Sequence, residues 1–153
     1  MTEQLIYSGI KAKGMVKITK TNQFGEVTQE FEVPNLVVAT GKIYIAGKMI
    51  AQASDTPTHM SHMGIGTGTA SPADADTTLG TQTGRVLLSG NLQDNNSITY
   101  TATFPAGTGT GAITEAAIFN ASSAGTMLCR TTFPVVNKAA GDSIAVTWTV
   151  TVS

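Results

Sequence analysis

Residues 143–153, SIAVTWTVTVS, alternate strictly between apolar and short polar side chains, and this pattern decides the fold class. Val146 and Trp148 fall on one face, whereas Thr147 and Thr149 fall on the other. A period of two is typical of a β-strand that has one face in a core. The segment therefore predicts a strand that is buried on its Trp148 face.

The same alternation recurs along the chain, with turn residues between the repeats. It predicts strands in GMVKITK (14–20), EVTQEFEV (26–33), HMGIGTG (62–68), RVLLSG (85–90), SITYTATF (97–104), AITEAAIFN (112–120) and GTMLCRTTF (125–133). About eight or nine short strands of this kind indicate an all-β fold, either a β-sandwich or a jelly roll. The 153 residues fit a single domain, in which an N-terminal arm and hairpin (1–34) pack on a sandwich (35–153). TNQFG (21–25) is a loop of hairpin length and connects the two strands of this hairpin.

Residues 34–52, PNLVVATGKIYIAGKMIAQ, break the strand pattern and predict one short helix against the sandwich. Asn35 stands where an N-cap belongs, and a helical stripe would contain Leu36, Thr40, Ile43, Gly47 and Ile50. Gly41 and Gly47 would each cost about 1 kcal/mol in a helix interior, so the helix needs a packing partner. A pair of buried strands is the alternative.

The charge balance excludes several classes of protein. Nine basic and ten acidic residues leave a formal charge of −1, and charged residues make up only 12% of the chain. So weak a basic character argues against nucleic-acid binding, in which Lys and Arg neutralise phosphates. The chain shows no signal-peptide pattern and no apolar run of about 18 residues, so we expect no membrane association and synthesis in a cytoplasm.

Residues 63–69, MGIGTGT, resemble a glycine-rich loop that binds phosphate. Such a loop needs a helix directly after it, or a Lys followed by Ser or Thr. Here the chain continues with TASPADADTT (69–78), which has neither feature, and the composition of residues 69–84 predicts a loop. We therefore interpret the segment as a strand whose glycines allow another backbone or a turn to approach closely.

Other chemistry has little support in the sequence. His59 and His62 could share a metal with Asp55, Asp74 or Asp76, but a mobile loop is the simpler interpretation. The run ADAD (73–76) lacks the spacing of a calcium loop. A Ser-His-Asp arrangement would need one of these two histidines, but no GxSxG motif or comparable nucleophile accompanies them. We expect no catalytic residue, no cofactor and no metal, and hence no enzymatic activity.

Two residues of the predicted strands invite a chemical interpretation. Cys129 is the only cysteine, so it forms no internal disulfide, and we expect a buried, inert thiol. Glu115 is predicted to lie on the Ile113–Phe119 face as an inward carboxylate paired with Arg85 or Arg130. We interpret that pair as an ion pair at a subunit contact rather than as a general acid.

Residues 112–121, AITEAAIFNA, are apolar on both faces, which is unusual for a strand in a small sandwich. The second face needs a cover, either the helix or another subunit. Together with the low charge, this predicts a homo-oligomer.

Several long phrases resemble a family of small structural proteins of tailed bacteriophages. They are NLVVATGKIYIAGKMI at a helical start, a GxGT strand, GAITEAAIFNA, GTMLCRTTF and DSIAVTWTVT, and they span residues 35–153 in order. The resemblance implies a protein of the virion with no catalytic motif.

Two virion positions follow from this resemblance. A decoration (cement) protein would bind the capsid exterior at junctions between major capsid subunits, and a trimer at local three-fold junctions is favoured over a dimer at two-fold junctions. Residues 1–13 are a candidate contact, because terminal segments stay loose unless something holds them. A tail or fibre component would contact the host or a neighbouring tail protein. The single compact domain favours decoration, because a fibre needs elongated repeats or a stalk. An enzyme or an unrelated binding module is the remaining alternative.

Overall fold

A computed structural model describes residues 10–49 and 58–153, which form ten strands and one helix. The strands are β1 (Ala12–Thr21), β2 (Val27–Pro34), β3 (Leu36–Val37), β4 (His62–Gly66), β5 (Gln82–Leu87), β6 (Gly90–Asp94), β7 (Ser97–Phe104), β8 (Gly111–Phe119), β9 (Met127–Lys138) and β10 (Ser143–Val152). The helix, α1, is Ala39–Gly47. Among the described residues, no helix is long and apolar enough to span a membrane.

The strands form two five-stranded antiparallel sheets that pack as a sandwich. Sheet A has the order β2-β1-β10-β7-β6, and sheet B has the order β3-β9-β8-β4-β5. The predicted all-β sandwich with one short helix is therefore confirmed. The predicted hairpin around TNQFG is present as β1 and β2, and β10 lies beside β1 in the middle of sheet A.

The region between residues 82 and 94 differs from the prediction. RVLLSG is not one strand: it contains the end of β5, then Leu88 and Ser89, and then the first residue of β6. The chain crosses from sheet B to sheet A at this point, and Ser89 N–H donates to Thr101 O at 2.8 Å. β6 was missed because GNLQD has no apolar alternation, and β5 begins inside residues 69–84, which composition predicts as a loop.

The core lies between the two sheets, and its largest side chain is Trp148, which is 0% exposed. Trp148 pairs with Val16 on β1 and with Tyr100 on β7. Sheet B closes the core from the other side with Ile113 and Ile118. The predicted burial of the Trp148 face is thus confirmed.

The helix is present, but its start and its buried face were predicted wrongly. Residues 36 and 37 are extended because they pair with β9, so the N-cap is Val38 and not Asn35. Ile43 of the predicted stripe is 71% exposed, and Gly41 is the buried residue of α1. A Cβ at Gly41 would overlap the carbonyl oxygen of Leu128, so this glycine permits the close packing of helix on strand. Ile50 lies outside the described residues.

β8 is buried on both faces, as its composition predicts, but the cover is internal. The register shifts between Ile113 and Glu115, so Ile113 faces the main core whereas Glu115 is not on that face. The outer face carries Phe119, which packs in a second cluster with Leu79 of the loop before β5 and with Val38 at the start of α1. No second subunit is needed to cover this strand.

Candidate functional site: a buried carboxylate cluster and two surface grooves

Glu115 is the centre of a buried hydrogen-bonded cluster and is 0% exposed. Its Oε1 accepts hydrogen bonds from Gly68 N–H at 2.9 Å and Thr81 N–H at 2.7 Å. Its Oε2 accepts from Gly80 N–H at 2.9 Å and from Arg130 Nη2 at 2.8 Å and Nε at 3.2 Å. Five donors therefore surround one carboxylate, which fixes the loop 67–81 to β8.

The glycines of GIGTG make room for this carboxylate. A Cβ on Gly66 or on Gly68 would lie 2.5 Å from Glu115 Oε1, which is too close for a real side chain. The prediction that these glycines permit a close approach is confirmed. The motif thus places backbone N–H groups around an anion, and the anion is a carboxylate of the chain itself.

The charge of Glu115 is stabilised in spite of its burial. Burial raises the pKa of this carboxyl, but the hydrogen bonds from Thr81, Arg130, Gly80 and Gly68 outweigh it and hold the pKa below its ordinary value. A low pKa and a full set of donors suit a structural anion and not a proton donor near neutral pH.

Arg130 is the cationic partner of Glu115, and it is also buried. Its Nη1 lies 2.8 Å from Asp76 Oδ2, and its Nη2 donates to Ala70 O at 3.0 Å. Arg85 is not a partner: its guanidinium stacks 3.6 Å above the ring of Phe119. The expected ion pair is present, but it lies inside one chain, so the prediction of a subunit contact at Glu115 is wrong.

The histidines and the aspartates do not form a metal site in the described part of the chain. No group of three or more His, Cys, Asp or Glu side chains in residues 10–49 and 58–153 could share an ion. Asp74 pairs with Lys42 at 2.5 Å, and Asp76 pairs with Arg130. His62 Nδ1 lies 2.8 Å from Ser61 Oγ, and burial, then the charge of Arg85, lowers the pKa of this imidazole. Asp55 lies outside the described residues.

Cys129 is a free thiol on β9 and is fully buried. Burial raises the pKa of this thiol far above its ordinary value, so it stays protonated at neutral pH. The prediction of a buried thiol is confirmed.

Two grooves lie beside α1. The first groove lies between the two sheets, has a volume of about 850 Å³ and is lined by Tyr44, Met60, Ile98, Leu128 and Val150. Its rim carries the amides of Asn91 and Gln93, which occupy core-facing positions of β6 opposite Tyr100 and Ile98. Most of the described residues that line it are uncharged, and the lining also includes Lys48 and His59.

The second groove has a volume of about 670 Å³, and we name it the lysine groove. Its walls include the apolar side chains of Ile10, Leu36, Ile45 and Met49, and its rim carries Lys11, Lys13 and Lys42. Lys42 is paired with Asp74, whereas Lys11 and Lys13 make no ion pair with any described residue. Residues 10–13 of the candidate arm line this groove, and the rest of the arm lies outside the described residues.

The turn between β1 and β2, residues 21–27, is the other prominent surface, and we name it the hairpin tip. Phe24 is 78% exposed there, and Val27 is also exposed. The strand pattern on either side of TNQFG predicts only a connection here and does not single out Phe24. An aromatic residue in a turn of polar residues was the available signal.

Comparisons with known proteins found no relative: no family model, no curated protein and no solved structure matches this chain.

Proposed function

We propose that this protein is a structural protein of a bacteriophage virion, and specifically a decoration (cement) protein. In this role it binds the outside of the head at junctions between major capsid subunits. The proposal starts from the resemblance of residues 35–153 to small virion proteins. One structural observation supports it: the resembling phrases form the framework of the sandwich.

The resembling phrases build the framework of the sandwich. GAITEAAIFNA contains β8, GTMLCRTTF begins β9, and GxGT lies at the end of β4. The charged residues of these three phrases, Glu115 and Arg130, bind each other and the loop 67–81. A sequence whose distinctive residues all serve the framework suits a protein that works by binding surfaces and not by chemistry.

The outer surface suits many weakly charged contacts. Phe24, Met49, Leu87 and Leu92 are each more than two-thirds exposed, in a chain with a formal charge of −1. A protein that binds only the mature lattice stabilises that lattice by mass action, without a catalytic step. Because such contacts depend little on long-range charge, attachment should survive high salt.

The proposed partners are copies of the protein itself and the major capsid protein. A trimer would match local three-fold junctions of an icosahedral shell, and a dimer would match two-fold junctions. The two-sided strand β8 no longer supports self-association, because the chain covers it. The exposed Phe24 of the hairpin tip and the apolar side chains of the lysine groove support it instead.

The test compares virions that contain the protein with virions of a deletion strain, both heated or diluted rapidly out of high salt. A decoration protein should raise the surviving fraction of particles, and the purified protein should restore survival when it is added back. Equal survival, with the protein present on purified tails and absent from heads, would contradict decoration and support the tail role.

A further inference from the structure

The hairpin tip presents an aromatic side chain on a backbone that hydrogen bonds hold in place. Asn22 Oδ1 accepts from the N–H groups of Phe24 at 2.9 Å and Glu26 at 3.0 Å. Asn22 Nδ2 donates to the carboxylate of Glu26 at 2.9 Å, and Gly25 takes the left-handed conformation (φ 80°) that the turn requires. An ordered turn loses little conformational entropy on binding, so its exposed ring is suited to be an anchor.

The lysine groove offers the complementary chemistry at the other end of β1. Its walls are largely apolar, although they also include Asn35, and the wall residues Ile10 and Met49 are strongly exposed. Lys11 and Lys13 on its rim lack ion-pair partners among the described residues. The hairpin tip has an apolar centre, Phe24, beside one carboxylate, that of Glu26. An apolar centre with a matching charge at its border is the usual anatomy of a protein interface.

We propose that the hairpin tip of one copy binds in the lysine groove of a second copy. Phe24 then enters the apolar groove, and Glu26 lies next to Lys11 and Lys13. The two surfaces of one chain cannot meet, because β1 separates them by its ten residues. At about 3.4 Å per residue this is a span of about 30 Å along a paired strand. The occupant is therefore a second molecule.

This contact joins two different surfaces, so it is heterologous and leads either to a closed ring or to an open filament. A ring of three copies would be the trimer of the proposed function. The inference rests on the self-association part of that proposal and not on the shell. One hairpin tip in one lysine groove buries a small interface, so a single contact is weak. A closed ring is more stable because all its interfaces form together.

The first experiment is sedimentation velocity of the full chain over a range of concentrations. The wild-type protein should associate, and Phe24→Ser should weaken its association at least about tenfold. Leu92→Ser is the matched control, because Leu92 is 71% exposed but lies on β6, away from the tip and the groove. It should leave association within about twofold of the wild type. Emission from the buried Trp148 shows that each variant is folded.

The second experiment exchanges charges between the two surfaces. Glu26→Lys should weaken association about three- to fivefold, and Lys11→Glu with Lys13→Glu should do the same, because each change places like charges together. A mixture of these two proteins restores opposite charges at every tip-to-groove contact, so it should associate more strongly than either protein alone.

Several results would overturn the proposal. A wild-type protein that stays monomeric up to about 100 µM would mean that the groove binds a different protein and not a second copy. Unchanged association of Phe24→Ser, with loss of association in the groove variant, would mean that another part of the second copy occupies the groove. A mixture that gains nothing would indicate a symmetric contact. None of these results depends on virion survival, so each is distinct from a failure of the proposed virion role.

Discussion

Replacement of Glu115 by glutamine tests the idea that this buried carboxylate holds the sandwich together. Each carboxylate oxygen accepts from at least two N–H groups: Gly68 and Thr81 on Oε1, and Gly80 and Arg130 on Oε2. An amide has only one acceptor oxygen, so either orientation of the substituted side chain turns an NH₂ group toward two or more donors. The variant also leaves Arg130 buried with less negative charge beside it.

The expected loss follows from these contacts. Removal of one partner of a buried ion pair costs about 3–5 kcal/mol, because the remaining charge stays in the interior. Hydrogen bonds to a charged group contribute about 1.5–3 kcal/mol each, so two or three donors that lose their acceptor give about 3–9 kcal/mol, and the lower part of this span agrees with the first figure. We therefore expect Glu115→Gln to lower the free energy of unfolding by about 3–5 kcal/mol, a large part of the stability of a domain of this size.

Urea unfolding monitored by tryptophan fluorescence measures this loss, because Trp148 is the only tryptophan and is fully buried. Glu32→Gln is the control, since Glu32 is exposed on the edge strand β2, and it should change stability by less than about 0.5 kcal/mol. The double variant Glu115→Gln with Arg130→Met removes both charges, so it should lose less than the sum of the two single losses. A Glu115→Gln protein within about 1 kcal/mol of the wild type would refute the structural role of the carboxylate.

Three further predictions concern the helix, the core and acid. Gly41→Ala should lower stability although alanine favours helices, because its Cβ would overlap the carbonyl of Leu128; the exposed Ile43→Ala should be nearly neutral in the same thermal melts. Trp148→Ala should cost about 3–5 kcal/mol in urea unfolding followed by circular dichroism, and a loss below about 1 kcal/mol would contradict its central place in the core. The pKa of Glu115 is lower in the folded protein than in the unfolded chain, so its ionised carboxylate stabilises the fold above the unfolded pKa of 4.5. This stabilisation is lost as the pH falls through the folded pKa. Unfolding free energies measured from pH 6 down to about pH 2 should fall more steeply for the wild type than for Glu115→Gln.

The sequence was sufficient for those features that depend on local alternation. The buried face of β10, the hairpin around TNQFG and the all-β class follow from a period of two, which each strand shows within its own residues. The close approach at the GIGTG glycines was also predictable, since glycines at alternate strand positions have few other uses. The partner that approaches, the Glu115 carboxylate, was not predictable from that segment alone.

The errors arise where distant parts of the chain decide the local structure. Asn35 has the composition of an N-cap, but pairing of the next two residues with β9 keeps the chain extended until Val38. The cover of β8 depends on Leu79, which lies in a loop with no pattern of its own. Phe24 has one local signal, its place as an aromatic residue in a turn of polar residues, and that signal does not indicate a partner. It becomes informative only with the lysine groove at the other end of β1.

The position of β10 in the middle of sheet A has a consequence for synthesis on the ribosome. β1 ends at Thr21 and its neighbour β10 begins at Ser143, so β1 waits for a partner that is made last among the described strands. At about 5–20 residues per second, roughly 6–24 s pass between their synthesis. During this interval the nascent β1–β2 hairpin exposes Val16 and Ile18, which are later buried. Sheet A can therefore be completed only after β10 has left the exit tunnel, and chaperones have their main opportunity to bind this chain before that moment.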